Sequence, residues 1–96
     1  MKTKLKDIQL FSLDGHTVLQ ISKLVRLASA CEVAPLRLSD PLIVAKALSY
    51  AVIANDKESD QLYISILSSL KEIHDLDVDE VKAELLEVAQ NNVTVA

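Results

Sequence analysis

A chain of 96 residues with half its side chains apolar and a net charge of −4 has the size of one domain, residues 1–96, and enough apolar surface for a core. Three aromatics (Phe11, Tyr50 and Tyr63), one glycine and two prolines imply an aliphatic core and leave too few turns for an all-β chain. The lone cysteine, Cys31, excludes an internal disulfide, and the longest near-apolar run, 42–54, holds Lys46 and Ser49 and is too short to span a bilayer, which points to a cytoplasmic protein with no membrane partner.

The first segment, Thr3 to Leu13, permits two readings. Leu5, Ile8 and Phe11 have helical spacing. Ile8, Leu10 and Ser12 alternate instead, and Asp14–Gly15 is a favoured hairpin turn that would pair Leu10 with Leu19 and Ile8 with Ile21. Helix is preferred over strand because the following segment is itself helical. The early lysines imitate the start of a signal peptide, but Asp7, Gln9, Ser12 and Asp14 break the apolar run that must follow.

The second helix is expected from Thr17 to about Ala30. Thr17 and Gln20 fit a T-x-x-Q capping box, and Val18, Ile21, Val25 and Ala28 share a face, with Leu24, Leu27 and Cys31 beside it. Pro35 ends that run. The third helix, 41–54, opens with Asp40 as N-cap and Pro41 as the first helical residue. It is apolar nearly all round, as befits the centre of a bundle or an oligomer interface. The fourth helix, about Ser59 to His74, has Leu62, Tyr63, Ile66, Leu67, Leu70 and Ile73 on one broad stripe. The fifth begins with a D-x-x-E box, Asp77 and Glu80, and a hydrophobic staple, Leu76 and Val81. Its apolar face is Val81, Leu85 and Val88, with Leu86 and Ala89, and it should end near Gln90 or Asn91. Residues 92–96 are expected to fray.

Charge is unevenly spread. Residues 1–30 hold five basic and two acidic residues, a net +3, whereas residues 61–96 hold two basic and seven acidic residues, a net −5. The two ends should attract each other, within one molecule or between molecules.

The chemistry-bearing residues have simpler structural readings. Asp75, Asp77 and Asp79 have calcium-loop spacing, but Glu80 and Leu86 stand where the loop needs glycine and a bidentate glutamate. They read as acids at a helix N-terminus. Cys31 has no base nearby in sequence and reads as a small buried side chain. His16 and His74 lack the spacing of a metal pair. Residues 24–45 fit a DNA-binding helix-turn-helix poorly: Ala28, Val33 and Leu38 suit it, but Glu32 takes the glycine place and Pro41 interrupts the reading helix. Ser39–Asp40–Pro41 reverses the Asp-Ser-Leu order that carries the prosthetic group in acyl carrier proteins. Ser65, Ser68 and Ser69 read as the polar side of the fourth helix.

The expected fold is therefore all-α, an irregular bundle of four to five short helices. No catalytic, cofactor or metal site is expected, so the chain reads as non-enzymatic. The expected function is protein–protein interaction, as a small acidic regulator, inhibitor or assembly factor. The expected interface is a homodimer around Leu42, Val44, Leu48, Tyr50, Val52 and Ile53, unless that helix is simply the core helix of one molecule. Two alternatives are a nucleic-acid-binding regulator using the basic N-terminal third, and a carrier of a small hydrophobic ligand.

Overall fold

The computed structural model describes residues 4–30 and 37–93. Four α-helices carry the fold: α1 (Gly15–Ala30), α2 (Ile43–Ala54), α3 (Lys57–His74) and α4 (Val78–Val93). Two 3-10 turns, Leu5–Asp7 and Leu10–Ser12, precede them, and the described residues contain no strand. The chain is all-α.

Aspartates fasten the starts of three helices. At α1, the Asp14 carboxylate accepts the Thr17 amide at 3.4 Å and the Thr17 hydroxyl. Asp14, not Thr17, is thus the N-cap, and the helix starts two residues before the expected point. An ionised carboxylate is the stronger acceptor for a free amide, and Thr17, displaced into the first turn, buries its hydroxyl against it. Gln20 leaves the expected box and donates to Ser65 on α3. At α3, Asp56 accepts the Ser59 amide at 2.9 Å and its hydroxyl at 2.8 Å. At α4, Asp77 accepts the amides of Asp79 at 2.9 Å and Glu80 at 3.3 Å, as the D-x-x-E signature predicts. The staple residues Leu76 and Val81 are both buried.

Helix α2 starts at Ile43 rather than Pro41. Asp40 still organises the turn: its carbonyl accepts the Ile43 amide at 3.0 Å and its carboxylate accepts the Leu42 amide at 2.8 Å. The tight bond to Ile43 makes Pro41–Leu42 a turn that leads into the helix. Helices α2 and α3 end on Asn55 and Asp75, each left-handed with φ of 51°. Asn and Asp tolerate that conformation better than other non-glycine residues.

Eight of the twelve α2 residues are buried, among them Ile43, Val44, Leu48 and Tyr50. The helix packs on α4, α3, α1 and the first 3-10 turn. It is the axis of the core, which takes Ile21, Leu24 and Ala28 from α1, Ile66 and Leu70 from α3, and Val81 and Leu85 from α4. Ile73 and Leu86, expected on apolar faces, are exposed. Helix α4 runs on to Val93, past the expected end.

The N-terminal segment forms neither a continuous helix nor a hairpin. Leu5 and Ile8 are buried, but Ile8 and Gln9 are extended and separate the two short turns. The extended residues let Leu5 and Ile8 both reach the core while the chain turns outward at Phe11. The hairpin fails because Asp14 is engaged in capping α1, which leaves Leu19 exposed and Ile21 buried.

Two measurements check this account. Gly15 has a negative φ and no atom within 4 Å of an added Cβ. Gly15→Ala should therefore raise stability by about 0.4–1 kcal/mol in urea unfolding, whereas in a hairpin turn it would lower it. The Thr17 hydroxyl holds the Asp14 carboxyl below its ordinary value of 3.8, and the Ser59 amide does the same for Asp56. The unfolded chain then takes up protons first on acidification. The stability these caps contribute is present above pH 3.8 and is lost as the pH falls through their lowered values. Asp56→Asn keeps a cap without a titrating group, so its urea midpoint should fall less steeply in acid than that of the wild type.

Candidate interaction surfaces

The expected interface divides in two. Val44, Leu48 and Tyr50 are buried within one molecule, so they cannot face a partner without opening the core. Leu42, Val52 and Ile53 are exposed and remain available. The apolar excess of α2 is thus largely absorbed by α1, α3, α4 and the N-terminal turn.

A different apolar surface lies at the N-terminal end. Phe11, the only phenylalanine, has 87% of its surface exposed. It borders an open groove of about 580 Å³, whose apolar wall is Leu10, Leu13, Val18, Leu38 and Pro41. Leu38 is itself 50% exposed. Phe11 stands outside the core because the second 3-10 turn follows extended backbone and carries its side chain away from Leu5 and Ile8. The polar end of the groove is Asp40, whose carboxylate accepts a bond from the Lys46 ammonium. That bond first, and the Leu42 amide second, hold the Asp40 carboxyl below the ordinary value of 3.8. The pair leaves the groove with little net charge.

A second groove, about 430 Å³, lies where the chain ends meet. Lys4 and Lys6 line one side and Glu80, Glu84 and Glu87 the other, with Leu42, Ala83 and Val88 at its base. The Glu84 carboxylate spans the two sides. Its oxygens accept the amides of Leu5 and Lys6, each at 3.1 Å, across nearly the whole length of the chain. Glu84 thereby caps the first 3-10 turn, whose own N-cap, Lys4, supplies no side-chain bond. The N-terminal segment and α4 thus meet inside one molecule. The bonds that join them use backbone amides, which sequence charge counting does not register.

The remaining candidates are dispersed. Asp75 closes α3, Asp77 caps α4 and Asp79 is exposed. No three His, Cys, Asp or Glu side chains among the described residues are grouped to hold a metal ion. His16 is exposed at the start of α1. His74 lies in the last turn of α3, and its Nε2 is buried without a hydrogen-bond partner among the described residues. Cys31, Glu32, Val33 and Pro35 lie outside the described residues. In the segment that would form the reading helix of a DNA-binding helix-turn-helix, residues 37–42 are turns and irregular backbone, and helix begins only at Ile43. Ser65 accepts the bond from Gln20, and Ser68 is exposed. No described helix is long and apolar enough to cross a membrane.

The Glu84 clamp makes a direct prediction. Glu84→Ala should lower stability by about 1–3 kcal/mol, since it strips acceptors from two amides, one of them on fully buried Leu5. Hydrogen exchange of the Leu5 and Lys6 amides should accelerate more than that of amides in α3. Glu84→Gln, which keeps one amide oxygen, should fall between. Compared with known protein families, curated proteins and solved structures, the chain matches none.

Proposed function

We propose that this chain is a small, non-enzymatic protein–protein interaction module, a regulator, inhibitor or assembly factor that also self-associates. The observation that supports this reading is the exposure of Phe11 beside the groove of Leu10, Leu13, Val18, Leu38 and Pro41. A large aromatic in water contributes little to folding, and aromatics that fill a partner's pocket dominate the energetics of many interfaces. The groove is mainly apolar, with Gln9, Ser39 and one neutralised carboxylate as its polar lining, which suits an apolar protein segment better than a charged polymer.

The basic N-terminal third gives less support to nucleic-acid binding. Lys4 and Lys6 lie beside Glu80, Glu84 and Glu87, whose charge opposes an approaching phosphate. The test is affinity capture from native lysate with the wild type and with Phe11→Ala in parallel. A stoichiometric protein partner should be captured by the wild type and weakened at least about thirtyfold by the variant. The urea midpoint of Phe11→Ala should stay unchanged. A partner retained equally by both proteins moves the binding surface elsewhere, and a nucleic acid in the eluate rejects the reading.

A further inference from the structure

The Phe11 face carries both halves of one contact. The knob is the Phe11 ring, in the middle of the second 3-10 turn. The hole is the groove beside it, walled by Leu10, Leu13 and Val18 from the first part of the chain and by Leu38 and Pro41 from the turn before α2. At 87% exposure the ring borders this groove without filling it. The backbone that carries the ring is tethered on both sides. Glu84 holds the amides of Leu5 and Lys6, and Asp14 caps α1 just after Leu13. A knob held in place before contact loses little freedom on binding.

Charge permits this face to meet its own copy. A two-fold contact sets a surface against itself, so a net charge on that surface would repel its counterpart. Among the described residues that line the groove, Asp40 alone is ionic, and it is paired with Lys46.

We propose that the occupant of this groove is Phe11 of a second copy. A two-fold axis beside the groove sends each ring into the groove of the other molecule, so one contact contains two insertions. A phenylalanine buries about 150–250 Å² and covers a like area of wall, so the two insertions remove roughly 600–1,000 Å² from water. Stable interfaces remove about 1,200–2,000 Å², so this dimer is weak and forms only at high concentration. The inference rests on the self-association in the proposed function and places it on the Phe11 surface.

Sedimentation equilibrium of the full chain from about 1 μM to about 1 mM tests it, a range that spans the dissociation constants of weak contacts. The mass should rise from 10.5 kDa towards the dimer. The rise should persist at about 0.5 M salt, where surface charges are screened. Phe11→Ala removes the knob and Leu38→Lys puts a charge in the hole, and each should weaken association at least about thirtyfold. Both side chains are at least half exposed, so both variants should keep the helical circular dichroism and urea midpoint of the wild type. If Leu38→Lys loses helicity, Leu38→Gln takes its place with a loss in the same direction. In a mixture of isotope-labelled and unlabelled wild type, nuclear Overhauser effects between copies should join the Phe11 ring to the methyls of Val18 and Leu38. A wild type that stays monomeric throughout overturns the inference and the self-association together. Capture of a different protein that depends on Phe11 would then leave the interaction reading standing. A dimer that tolerates Phe11→Ala overturns the inference, and so does one that Phe11→Ala abolishes but the Leu38 variants leave intact, since the rings would then meet each other and not the groove.

Discussion

A helix without a polar face must be covered on every side, and α2 imposes that demand on this chain. Its buried residues point in all directions around the axis. One neighbouring helix covers roughly one stripe, so three helices and a further segment are needed to enclose it. Helices α1, α3 and α4 supply most of the cover, and the N-terminal turn with Leu5 supplies the rest. The small residues Ala45, Ala47 and Ala51 let these neighbours approach closely.

The N-terminal segment is the least regular part of that cover and the one most in need of an outside tether. A three-residue 3-10 turn satisfies few of its own amides. Glu84 supplies the missing acceptors from α4. The acidic balance of the C-terminal third thus has a structural use beyond solvation. It fixes the first 3-10 turn to α4, and both pack against α2. The lysines on the same segment sit beside the remaining acids and soften their repulsion.

What the core does not need is left on the surface in a pattern. Phe11 lies beyond the tethered turn, next to an apolar groove. Leu19 on α1 and Leu86 on α4 are also more than half exposed. Scattered exposed leucines are ordinary, but a bare phenylalanine at a groove is not.

Local signals were legible wherever the deciding groups are close in sequence. The Asp77 cap and the Leu76–Val81 staple act within one helical turn, and the run 41–54 declares a buried helix by having no polar side. Composition alone excluded a β fold. Where two local signals compete, sequence cannot rank them: residues 3–13 suit a helix and a hairpin arm, yet they hold two 3-10 turns, and the cap of α1 is Asp14 rather than Thr17. The candidate surface was the least legible part. An apolar residue reads the same whether it ends in the core or in water, so Val44, Leu48 and Tyr50 could not be told from Leu42, Val52 and Ile53 before α2 had neighbours. The sequence by itself determined that the chain is helical and placed the starts of the four α-helices to within two residues, because propensity, capping and periodicity are short-range. Only the tertiary structure decided that Glu84 holds the N-terminal amides and that Phe11 stays outside, because both depend on contacts between segments that the chain brings together only when folded.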